Sequence, residues 1–247
     1  MRILWLLNIC PPAAAEALGM DYSVREGWIT GALNRYLCAE EEPEEASAHH
    51  TKAEKRKNAP ADKLEIGLCF PFDGSAGNAP VEGVPGEADG SPGAFSCVRR
   101  LYPMTDQEKG EGRRTALYGF REDLKRPELY DSGLEKYFAG ILADFKPDLV
   151  HIFGTEFPHA LAMVRAFGKP ERTLVSIQGL VGECAESYMA DLPDYVQRSV
   201  TLRDFLRKDS LRQQQEKFRI RGSREKEVLS SCSHVAGRTR FDREGAL

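Results

Sequence analysis

The chain opens on an unbroken apolar run, Ile3-Leu4-Trp5-Leu6-Leu7, with Asn8 as the first polar interruption before Ile9. Continuous apolar character suits a strand covered on both faces, as in a parallel sheet. Pro11-Pro12 is expected to stop it. From Gly27 to Cys38 the apolar residues fall at 28, 29, 32, 33, 36 and 37, the spacing of a helix face. Leu64 to Phe70 predicts a second strand and Ala94 to Leu101 a third, followed by a polar stretch that runs to Pro127. Positions 134, 137, 138, 141, 142 and 145 give another helix face, ended by Lys146-Pro147. Leu149 to Phe153 is a strand, turned by Gly154, and Phe157 to Phe167 is a helix. Thr173 to Ile177 is a strand closed by Gln178-Gly179. Lys217 to Leu229 is a charged helix, and Cys232 to Ala236 a last short strand.

Strands alternating with helices define an α/β fold: a three-layer, Rossmann-like parallel sheet with helices on both faces, expected as a single domain over residues 1–247. Two stretches interrupt it. Residues 39–62 set an acidic cluster against a basic one and read as a solvated insertion. Residues 73–93 are rich in Gly, Pro and small side chains and read as a loop.

Composition narrows the class. Apolar residues make up 41 % of the chain, enough for a packed core, and a net charge of −4 argues against broad nucleic-acid binding. The six cysteines, at 10, 38, 69, 97, 184 and 232, form no Cys-x-x-Cys pair and read as buried thiols of a reducing compartment. No run reaches the length of a membrane span, and the opening run is broken by Asn8 with little charge before it. A cytoplasmic protein is the simplest expectation.

Ligands of parallel sheets bind beyond the carboxyl ends of the strands. That rule gathers Asn8, Gly154-Thr155-Glu156, Gln178-Gly179 and Gly237-Arg238-Thr239 on one rim. Each member has two readings. His151 is either a satisfied core histidine or a ligand contact. Glu156 is either a carboxylate favoured by a helix N-terminus or an acceptor for the hydroxyls of a polyhydroxy substrate. Arg238 and Arg240 either meet an anion or form a solvated pair. Gly27, at a helix start, can let a phosphate approach backbone N–H groups. No Gly-x-Gly-x-x-Gly follows a strand, no Walker-A loop occurs, and no Gly-x-Ser-x-Gly anchors a hydrolase triad.

Several segments resemble, in the same order, the N-terminal domain of family 4 glycosyltransferases. They are Met1 to Leu6, Glu26-Gly27-Trp28-Ile29, Lys146 to Gly154, Ser176 to Leu180 and His234 to Asp242. Phe218-Arg219-Ile220-Arg221-Gly222 with Glu225 and Glu227 is similar to one bacterial branch of that family. The resemblance implies one lobe of a two-lobed, retaining enzyme without a metal, taking part in polysaccharide assembly. The N-terminal lobe binds a glycan or lipid-linked acceptor, and the C-terminal lobe binds a nucleotide sugar, which is a substrate and not a cofactor. The cleft residues it suggests are Asn8, Gly27, Trp28, His151, Glu156, Gln178, Gly179, Arg238, Thr239 and Arg240. The family's donor-site Glu-x₇-Glu is missing, since no two glutamates stand eight apart. The chain is therefore expected to hold the first lobe only and to be inactive alone. Where the family often carries a His after the fifth strand, Gln178 stands here; it can hold a hydroxyl but cannot titrate. Arg207, Lys208, Arg212, Lys217, Arg219 and Arg221 offer a basic face for peripheral contact with the inner side of a membrane, although interleaved Asp209 and Glu216 also suit a plain solvated helix. The alternative to a transferase is a stand-alone binding or interaction module on the same fold.

Overall fold

The computed structural model describes residues 1–21, 27–38, 64–72, 95–104 and 112–245. The insertion expected at 39–62 and the loop expected at 73–93 lie outside them, as does Glu26. In chain order the elements are β1 (Arg2–Leu6), α1 (Pro12–Ala17), α2 (Gly27–Cys38), β2 (Glu65–Pro71), β3 (Phe95–Leu101), β4 (Arg113–Phe120), α3 (Gly133–Phe145) and β5 (Leu149–Phe153). They continue with α4 (Pro158–Phe167), β6 (Thr173–Ser176), α5 (Val181–Ser187), α6 (Asp194–Gln197), α7 (Leu202–Arg207), α8 (Leu211–Ser230), β7 (His234–Ala236) and α9 (Arg240–Gly245). The strands form a seven-stranded sheet of order β3-β4-β2-β1-β5-β6-β7. Helices flank this mostly parallel sheet, so the chain is an α/β protein with a Rossmann-like three-layer fold. The described residues fall into two compact units, Met1–Leu4 with Ile9–Arg121, and Trp5–Asn8 with Glu122–Leu247.

In the first unit β2 pairs parallel with β4, and β3 runs antiparallel to β4. The strand β4 corrects the sequence reading, which left residues 102–127 as a polar stretch. Arg113 and Arg114 mask its start, but Leu117, Tyr118, Gly119 and Phe120 are buried, because a neighbouring strand lies on each side. Gly119 must lack a side chain, since a Cβ there would collide with the Phe95 ring. Pro12 likewise begins α1 where the sequence suggested only a stop; proline's missing N–H costs nothing in a first helical turn. The helix α2 is tied down by two side chains. Asn34 brackets the Met104 backbone, and the Tyr36 hydroxyl accepts from the Ile66 N–H at 3.2 Å.

In the second unit β5, β6 and β7 pair parallel. Val150, Ile152 and Val175 are buried in these strands. The helix α4 buries eight of its ten residues, whereas α3 buries only the stripe Leu134, Phe138, Ile141 and Phe145. The helix α8 begins at Leu211, six residues before the sequence pattern placed it, behind a capping box between Ser210 and Gln213. It meets α5 at two glycines: a Cβ on Gly222 would stand 2.7 Å from the Cα of Gly182. The cysteines also differ from expectation. Cys69 and Cys97 are buried, but Cys38 and Cys184 are exposed.

Candidate functional site

Asn8, just beyond β1, is buried and spends its side chain completely. Its Nδ2 donates to Gln178 Oε1 at 3.1 Å and to Glu156 Oε2 at 3.3 Å. Its Oδ1 faces His159 Nε2 at 2.9 Å, so Nε2 carries the proton. On its far side, His159 Nδ1 lies 2.6 Å from Glu122 Oε2. The result is a continuous chain, Glu122–His159–Asn8–(Glu156, Gln178), built from the loop ends after β1, β4, β5 and β6 and the first turn of α4.

The glycine that turns the chain after β5 makes room for this cluster. Gly154 has φ +91°, a left-handed conformation that side chains avoid. A Cβ there would run into the Glu156 carboxylate and approach Asn8 Nδ2 to 2.8 Å and Gln178 Oε1 to 3.1 Å. The three polar side chains therefore converge over bare backbone. Gly179 keeps a second approach open, with only Glu156 Oε1 at 3.6 Å from where its Cβ would lie.

Glu156 is half-buried. Burial pushes its carboxyl above the usual carboxylate range, opposed by hydrogen bonds from its own backbone N–H and from Asn8. Two polar atoms of the cluster lack protein partners: Gln178 Nε2, a donor, and Glu122 Oε1, an acceptor, both out of water. Buried polar groups are normally satisfied, so such atoms invite a hydrogen-bonding ligand or water. Together the cluster offers an acceptor at Glu156 and a donor at Gln178, the pairing that suits a hydroxyl group.

A second carboxylate supports the rim from behind. Glu225 of α8 is buried; its Oε1 accepts from Thr155 Oγ1 at 2.7 Å and from Val181 N–H at 3.1 Å, and its Oε2 from Gly182 N–H at 2.8 Å. It thus caps the start of α5 from a distant helix and fixes the residue before Glu156. Arg221, one turn earlier on α8, donates from Nε to the Glu156 carbonyl at 3.1 Å. Arg221 and Glu225 of α8 therefore hold the rim in place.

The other expected residues part company. His151 lies within β5, where Nε2 meets Ser176 Oγ at 2.8 Å and the ring stacks on Phe153. Burial lowers its pKa to about 4, so it is a neutral, partnered histidine of the strand layer. Arg238 reaches back from beyond β7 to donate to the Gln178 carbonyl at 3.2 Å. Thr239 caps α9: its Oγ1 accepts from Asp242 N–H, while Asp242 Oδ2 accepts from Arg238 and Thr239 N–H. Arg240 pairs with Glu244 on its own helix at 2.6 Å. Gly27 and Trp28 start α2 in the first unit, Trp28 exposed and Gly27 with open space where a Cβ would be.

His159 and Glu122 were missed. His159 stands three residues after Glu156, in the first turn of α4, so extending the rim rule by three residues would have found it. Glu122 follows β4, and with that strand unseen its place at a strand end was invisible. Among the described residues, no group of three or more His, Cys, Asp or Glu could hold a metal ion. Also among them, no helix is long and apolar enough to cross a membrane. No protein-family model, curated protein or solved structure matches the chain.

Proposed function

We propose that this chain is the acceptor-binding lobe of a retaining glycosyltransferase of the family 4 type. The full enzyme would move a sugar from a nucleotide-sugar donor to a hydroxyl of a glycan or lipid-linked acceptor, with the donor held by a second α/β lobe. The observation that supports this reading is the rim cluster: Glu156 and Gln178, held by Asn8 over Gly154, offer a carboxylate acceptor and an amide donor side by side. Hydroxyl groups are both donors and acceptors, and a polyol meets such a pair with two hydrogen bonds at once. The bare backbone at Gly154 lets the three polar side chains converge, and Gly179, with only Glu156 Oε1 at 3.6 Å from where a Cβ would lie, leaves room beside the carboxylate.

On this reading the chain's role is binding and orientation. Glu156, with its carboxyl held above the usual range, would accept the acceptor hydroxyl's hydrogen bond, and Gln178 Nε2 would donate to a neighbouring oxygen. The Glu122–His159 pair would keep the Asn8 amide turned so that its NH₂ group faces both.

Saturation-transfer NMR of the 247-residue protein against a panel of mono- and disaccharides tests this. Saccharide signals are expected, and Glu156→Gln and Gln178→Ala should each weaken them about tenfold, the value of one or two hydrogen bonds to a charged or buried partner. Silence across the panel, or signals untouched by both substitutions, overturns the reading. Sugar transfer by these residues alone would overturn the division of labour between lobes.

A further inference from the structure

Orientation at the rim runs outward from its buried pair. His159 Nδ1 lies 2.6 Å from Glu122 Oε2, too close for two bare lone pairs, so a proton sits between them, and a second proton sits on Nε2 facing Asn8 Oδ1. Whichever atom holds the first proton, the pair is neutral as a unit. Asn8 must then present its NH₂ group to the rim, where Gln178 gives it Oε1 and Glu156 gives it Oε2. Two groups are not engaged by Asn8: one carboxylate oxygen, Glu156 Oε1, and one amide donor, Gln178 Nε2, which has no protein partner. Both side chains are tied to the same nitrogen, so these groups are neighbours. Gly179 lacks the side chain that would cover the carboxylate; Oε1 is 3.6 Å from where its Cβ would lie.

Charge does not balance at this point of the rim. Among the described residues, no lysine or arginine comes within ion-pair distance of the half-buried Glu156 carboxylate. Arg221 bonds the Glu156 carbonyl instead, lies over the Phe218 ring at 4.9 Å, and acts also on Glu128 and Glu225. Arg238 is exposed and spends Nη2 on the Gln178 carbonyl. Glu225 is held by a hydroxyl and two backbone N–H groups, none of which carries a net charge. Burial first, and the Glu225 charge with it, push the Glu156 carboxyl up. A carboxylate in such surroundings is stabilised by a cation that arrives with the ligand.

We infer that the acceptor recognised at this rim is an amino sugar, with a free amino group beside a hydroxyl. Its ammonium meets Glu156 Oε1 next to the bare backbone of Gly179, and the neighbouring hydroxyl oxygen accepts from Gln178 Nε2. An ammonium offers three donors and no acceptor, so it matches the carboxylate and not the amide; the hydroxyl can accept what Gln178 donates. Adjacent substituents of one sugar ring thus satisfy both groups. The charge-assisted bond to Glu156 separates this ligand from a neutral polyol, and acetylation of the nitrogen removes that advantage by removing the charge. The inference rests on the acceptor-binding reading and names the class of acceptor.

Saturation-transfer titrations of the 247-residue protein with glucosamine, glucose and N-acetylglucosamine test it. Glucosamine is expected to bind about tenfold more tightly than the other two, with an advantage that shrinks as salt is raised. Glu156→Gln, close to the natural side chain in shape, should erase the advantage. Gln178→Ala should weaken all three sugars and leave the advantage in place. Glucose or N-acetylglucosamine binding as tightly as glucosamine overturns the amino-sugar inference and leaves the acceptor-binding reading standing. Silence from all three sugars takes both down. An advantage that survives Glu156→Gln also overturns the inference, since it reports only the general attraction of an ammonium to a chain of net charge −4. The comparison of the three sugars on the unsubstituted protein decides the question even where a variant fails to fold.

Discussion

The Glu122 carboxylate lies 2.6 Å from Nδ1 of His159, and both side chains are almost wholly removed from water, at 5 % and 1 % exposure. The pair anchors the rim cluster, because the opposite nitrogen of the same ring fixes the Asn8 amide. Its two members should respond unequally to substitution. His159→Ala leaves a buried carboxylate without its partner and should cost about 3–5 kcal/mol. Glu122→Gln keeps a polar partner for Nδ1 and should cost about 1 kcal/mol. Urea denaturation of the two variants checks this; equal losses would mean that the pair is not coupled as its geometry requires.

Packing between α5 and α8 makes a second asymmetric prediction. A Cβ at Gly222 would sit 2.7 Å from the Gly182 Cα and 3.1 Å from its nitrogen, both rigid backbone. A Cβ at Gly182 meets only Glu225 Oε2 at 3.3 Å and the Gly222 Cα at 3.8 Å. Gly222→Ala must therefore push the helices apart and should cost about 1–3 kcal/mol. Gly182→Ala should stay within about 1 kcal/mol, partly offset by alanine's better helix propensity. Thermal melting of both variants distinguishes them. Because Glu225 is carried by the same contact, Gly222→Ala should also weaken saccharide signals at the rim.

The strand-and-helix order of the second unit was legible because its segments carry strong periods: Leu149 to Phe153 is apolar throughout, and 134–145 repeats at helical spacing. The placement of Asn8, Glu156 and Gln178 followed from that order alone, since strand ends in such sheets converge. The first unit was harder. In β4 two arginines precede a four-residue apolar run, and only the flanking strands β2 and β3 make that run a strand. Losing β4 hid Glu122. Short helices were hidden for another reason: α6 and α7 bury no residue, so they leave no core-facing stripe in the sequence. Gly222 and Glu225 were visible as part of a resemblance, but their work, close helix contact and a cap on α5, depends on contacts far apart in sequence that no local pattern encodes.

His151 carries a prediction about acid stability. Burial lowers its folded pKa to about 4 from an ordinary value of 6.5. Between those values the unfolded chain binds a proton that the folded chain refuses, so stability rises with pH through this window and falls as acid is added. The contribution should be complete above about pH 7, decline as pH drops from about 6.5 to about 4, and level off below, with a total of at most about 3 kcal/mol. Other groups titrate in acid too, so the informative quantity is the difference from His151→Gln, whose amide can still donate to Ser176 Oγ but takes up no proton. Folding free energies measured for both proteins across this range should diverge only below about pH 6.5, with the histidine protein losing more. Parallel curves would mean that the ring is protonated in the fold as readily as in water, and that His151 is open to solvent or ligand at the strand layer.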